Sequence, residues 1–131
     1  MEYVVFEQGD LRIELSVGIN LYECLSASGK TYLPQVAARY AGAPNIRVYN
    51  KAADYKMLLE QGFQKSGEDD ILFLDRFDLF GCDRVAAYLY ALKDVCVLVD
   101  CKKNLYFQMG SYKIARLERD GRRMKLYNVI G

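Results

Sequence analysis

Gly29-Lys30-Thr31 follows directly on the small residues Ser26-Ala27-Ser28. Small side chains let a backbone curl until successive N–H groups point inward and form a seat for an anion. A helix opening at the same point adds the positive end of its dipole. Lys30 brings a full charge suited to the β- and γ-phosphates of a nucleotide, and the Thr31 hydroxyl brings a ligand for Mg²⁺. The chemistry open to this segment is phosphate capture, with Ser26, Ala27, Ser28, Gly29, Lys30 and Thr31 as the binding residues.

The flanking sequence suits that role. Residues 19–25 (INLYECL) read as a strand. From Lys30 onward Leu33, Val36, Ala37 and Tyr40 recur at helical spacing, and Ala41-Gly42-Ala43-Pro44 ends the helix. Cys24 to Thr31 resembles the phosphate-binding loop of P-loop nucleoside triphosphatases, in which Gly, any four residues, Gly-Lys and Ser or Thr follow in order. Cys24 stands where that pattern has its first glycine. Ile71-Leu72-Phe73-Leu74-Asp75 is similar to the family's second motif, four apolar residues and an acid.

The resemblance implies a small ATPase domain with an additional central strand, similar to the ABC and AAA types. Its ligands would be ATP or GTP with Mg²⁺. It implies Thr31 and Asp75 as metal ligands, with an adjacent strand delivering Asp75 beside the loop, and Lys30 as a catalytic charge. Hydrolytic members often carry a Glu after that acid; here Arg76 follows, and Asp78 is the candidate for orienting water. This class often borrows an arginine from a neighbour. Self-association or a partner protein is therefore implied, with Arg76, Arg84 and Arg116 as candidate arginines.

The rest of the chain supplies the frame. Residues 3–7 and 11–16 alternate as strands around the turn Gln8-Gly9-Asp10. Ile46 to Tyr49 reads as a short strand and 52–62 as a helix capped by Gly62. Ile71 to Leu74 and Val95 to Val99 are wholly apolar, as strands covered on both faces are. Residues 83–93 read as a helix with Asp83 as N-cap. The tail from Leu105 alternates, with Asp120-Gly121 as a hairpin turn. The expected fold is α/β: a mainly parallel central sheet with flanking helices, antiparallel hairpins at the N- and C-terminal ends, and one P-loop-like domain over residues 1–131.

Composition narrows the function. With 131 residues, a net charge of +1 and 52% hydrophobic residues, the chain is neither disordered in character nor strongly basic. Nucleic acid is thus not indicated as a partner, although Arg116, Arg119, Arg122, Arg123 and Lys125 form a local basic cluster. The absence of histidine removes Ser-His and Cys-His mechanisms and His-ligated metals. No apolar run reaches the roughly 18 residues of a membrane helix, and the first residues lack the pattern of a signal peptide. A cytoplasmic protein with reduced, buried or half-buried cysteines is expected.

The functional expectation is Mg²⁺-dependent nucleoside triphosphate binding, with weak or partner-stimulated hydrolysis. One alternative is a non-catalytic P-loop-like adaptor acting through protein contacts. Another is a nuclease similar to the PD-(D/E)xK class, using Asp83, Asp100 and Lys102 around Mg²⁺. That alternative requires residues 83–92 to be a strand.

Overall fold

The computed structural model describes residues 3–22, 46–64, 70–101 and 103–129. Ser26 to Thr31 and the helix expected from Lys30 lie outside them, as does Lys102. The described strands are β1 (Tyr3–Gln8), β2 (Leu11–Ser16), β3 (Gly18–Tyr22), β4 (Ile46–Tyr49), β5 (Ile71–Leu74), β6 (Cys96–Asp100), β7 (Lys113–Asp120) and β8 (Arg123–Asn128). The described helices are α1 (Ala52–Gln61), α2 (Phe77–Phe80) and α3 (Asp83–Ala91).

All eight strands join one sheet in the order β1-β2-β8-β7-β3-β6-β5-β4. The β1–β2 and β7–β8 pairs are antiparallel hairpins. The β2–β8, β3–β7, β3–β6, β5–β6 and β4–β5 pairs are parallel. The sheet is therefore mixed. It curls into a half-barrel, and among the described residues strand outweighs helix.

This corrects the expected α/β architecture of a parallel sheet with flanking helices. The source of the error is visible in β5 and β6. Their continuous apolar runs do report burial on both faces, but helices cover only one of those faces among the described residues. Leu72, Leu74, Val97 and Val99 pack with Tyr55, Leu58, Phe77, Val85, Ala86 and Leu89 of the helices. Ile71, Phe73, Cys96 and Leu98 pack instead with Leu11, Ile13, Leu15, Ala115 and Leu126 from the same sheet. The curl of the sheet provides the second cover that helices were expected to provide. Nor are the hairpins additions at the ends of a finished sheet, since β7 pairs with β3 and β8 pairs with β2.

The chain must reverse between β2 and β3, because the β7–β8 hairpin lies between them. Gly18, with φ 103, makes the turn in a backbone region that a Cβ disfavours. The buried Asn20 side chain fastens it. Its carbonyl accepts from Ser16 Oγ at 3.1 Å and from Asn128 Nδ2 at 2.7 Å. Its amide lies within 3.1 Å of the Ser16, Gly18 and Val97 carbonyl oxygens. The polar knot fixes the start of β3, the strand that leads toward the Gly-Lys-Thr segment.

Two smaller expectations also change. Cys82, not Asp83, is the N-cap of α3, and Asp83 enters the first turn, where its charge complements the helix dipole. Residues 105–112 are irregular, not strand. Phe107 is driven inward onto Phe77 and Tyr90, with ring centroids 5.2 and 5.8 Å away. Asn104 ties the loop by accepting from the Phe107 N–H at 2.8 Å.

Candidate functional site

The parallel strands bring their C-terminal tips to one edge. Tyr22 at the end of β3 pairs with Asp100 at the end of β6, and Leu74 of β5 pairs with Val99 of β6. Tyr22 and Asp100 therefore end two neighbouring strands, and Asp75 directly follows the end of the third. At about 4.8 Å per strand, Tyr22 and Asp75 are roughly 10 Å apart. The expected adjacency is thus corrected: β6 separates the strand entering the Gly-Lys-Thr segment from the strand carrying Asp75.

Asp75 is 4% exposed. Its N–H donates to the Tyr49 carbonyl at 2.9 Å, and its own carbonyl accepts from the Tyr55 hydroxyl at 2.6 Å. One carboxylate oxygen, Oδ1, has no hydrogen-bond partner among the described residues. The other, Oδ2, lies 3.9 Å from Arg76 Nε, whose side chain is largely exposed. A buried carboxylate oxygen without a donor is costly unless something outside the protein satisfies it. Arg76 itself adopts a left-handed backbone, φ 54 and ψ 44, so the chain turns sharply just past the carboxylate.

Asp78 follows in the first turn of α2 and is partly buried. Burial, followed by the charges of Asp75, Asp100, Cys101 and Asp78, pushes the Tyr55 phenol well above its ordinary range. Burial, then Asp100 and Asp78, pushes the Cys101 thiol up to about 11. Asp100 and Asp78 thus act on both Tyr55 and Cys101, and Asp75 acts on Tyr55. No three acidic or thiol groups among the described residues stand close enough to form a metal cage. Asp75 Oδ1 fits a cation whose remaining ligands come from elsewhere.

Of the candidate arginines, Arg76 lies beside Asp75, Arg84 is exposed on α3, and Arg116 is half-buried on β7. The nuclease alternative requires residues 83–92 to be a strand, but Asp83–Ala91 is a helix. Cys82, Cys96 and Cys101 are free thiols. No described helix is long and apolar enough to cross a membrane.

Nothing in the helical reading of residues 52–62 singled out Tyr55. Sequence reasoning also missed an open cleft of about 470 Å³ between the β1–β2 and β7–β8 turns. That cleft mixes Glu7, Asp10, Glu118 and Asp120 with Arg12, Arg123 and Lys125. Arg12 is already paired there with Glu7 at 2.6 Å. The cleft offers neither a net charge of one sign nor a buried polar group, so the strand tips carry the stronger chemical signal. Comparison with protein-family models, curated proteins and solved structures finds no match.

Proposed function

We propose that the chain binds a nucleoside triphosphate, ATP or GTP, together with Mg²⁺ at the tips of β3, β6 and β5. The observation that carries this reading is the buried Asp75 carboxylate with an unpartnered oxygen, two strands from the strand that leads into Gly29-Lys30-Thr31. Ligands of parallel sheets gather at the carboxyl ends of the strands. Ser26 to Gly29 would offer amides, Lys30 would offset phosphate charge, and Thr31 and Asp75 would hold the metal. Bound there, Mg²⁺ would neutralise the β- and γ-phosphate oxygens.

Binding is favoured over rapid hydrolysis. The residue after Asp75 is Arg76, and Asp78 on α2 is left as the group to orient a water. A fluorescent ATP analogue tests the reading. Lys30→Ala should abolish binding, and Asp75→Asn should remove its Mg²⁺ dependence. Unchanged binding in both variants would defeat the assignment.

The adaptor reading draws on a different observation. Leu79, Leu105 and Met109, on α2 and the loop after β6, are exposed by 67, 61 and 95%. A chain that binds no triphosphate, yet loses a partner when Leu105 and Met109 become Ser, would favour it.

A further inference from the structure

Both main-chain polar groups of Asp75 are held by elements remote in sequence. The Tyr49 carbonyl on β4 takes its N–H, and the Tyr55 hydroxyl on α1 donates to its C=O at 2.6 Å. The second bond is the selective one, because it comes from a side chain that mutation can remove. Tyr55 is buried, and its ring is wedged between Phe77 and Phe80 at centroid distances of 6.0 and 5.9 Å. Phe77 is itself backed by Tyr106 and Phe107. The hydroxyl therefore has little freedom to leave the carbonyl.

What it holds is a turn with reason to move. Arg76 sits in the left-handed region directly after Asp75, a conformation that costs a non-glycine residue energy and persists where surroundings enforce it. If the Asp75 carbonyl were released, that turn could relax and swing the carboxylate. The unpartnered Oδ1 would then lose its aim.

We propose that Tyr55 is a positioning residue that aims the Asp75 carboxylate at the metal of the bound nucleotide, an inference resting on the nucleotide reading above. Groups that orient a metal ligand typically change metal affinity by about 10–100-fold when removed. Tyr55→Phe keeps the ring and deletes only the donor. Phe80→Leu keeps the donor and deletes ring packing, so it reports what packing loss alone does.

The experiment titrates Mg²⁺ into the 131-residue chain with a fixed concentration of ATP, and repeats the ATP titration in excess chelator. Tyr55→Phe should raise the Mg²⁺ concentration at half-saturation about tenfold, with metal-free ATP affinity unchanged. Phe80→Leu should lower the melting temperature and leave the Mg²⁺ midpoint in place. A Tyr55→Phe midpoint within twofold of wild type overturns the inference alone. So does an equal loss of ATP affinity with and without metal, which would mean the tyrosine only props the fold. A wild type that binds ATP in neither condition overturns the nucleotide reading and this inference with it.

Discussion

Replacing Asn20 by Ala should destabilise the protein more than almost any other single change. The side chain is fully buried at the reversal between β2 and β3. Its carbonyl accepts two hydrogen bonds, and its two amide protons are shared among three carbonyl oxygens within 3.1 Å. About four good bonds are lost, each with a net value of about 1 kcal/mol. The loss is therefore about 4 kcal/mol against a total stability of about 5–15 kcal/mol. With a urea m-value of about 1–3 kcal/mol/M, the unfolding midpoint should fall by on the order of 2 M. Equilibrium urea unfolding followed by circular dichroism reads this directly. A midpoint shift below about 0.5 M would refute the claim that this knot holds the start of β3.

Other perturbations probe the packing of the core and the helix ends. A Cβ at Gly81 would sit 2.6 Å from the Phe77 carbonyl oxygen and closer still to the Phe77 ring. Gly81→Ala should thus cost about 1–3 kcal/mol and lower the melting temperature by roughly 4–12 °C; an unchanged melt would contradict the packing of α2. Burial pushes the Cys96 thiol up to about 12, and burial with Asp100 and Asp78 pushes Cys101 up to about 11. The folded state therefore keeps protons that the unfolded chain releases near pH 9, so stability should be flat below about pH 8 and fall as pH rises through 9 toward 11 and 12. Cys96→Val should flatten that decline, which stability curves at pH 7 to 11 would reveal. Gly62, at φ 74, caps α1 and lies near the Tyr88 hydroxyl, so Gly62→Ala should also lower the melting temperature.

Much of the local structure could be read from particular residues. Ile71-Leu72-Phe73-Leu74 announced a strand buried on both faces, Gly62 announced the end of α1, and Asp120-Gly121 announced the turn between β7 and β8. Partner choice could not be read in the same way. Alternation tells which face of a strand is buried and says nothing of which strand lies beside it. So the insertion of β7 and β8 between β2 and β3, and the curl that lets the sheet cover itself, were invisible. Leu105 to Tyr112 alternates well enough for a strand, yet Phe107 finds its burial against α2 and α3.

The site divides along the same line. The position of Asp75 at a strand end was legible, because an acid closes a buried apolar run. The hydroxyl of Tyr55 was not, because its target is a backbone carbonyl twenty residues away, a pairing only the fold creates. The aspartate at the end of β6 was legible as a strand tip, whereas its place between Tyr22 and Asp75 depends on strand order.

The most direct test is calorimetric titration of the wild-type chain with ATP and with GTP, each with and without Mg²⁺. The account predicts saturable 1:1 heat with at least one triphosphate, tighter with Mg²⁺ and absent in Lys30→Ala. Flat titrations with both nucleotides in both conditions would contradict it.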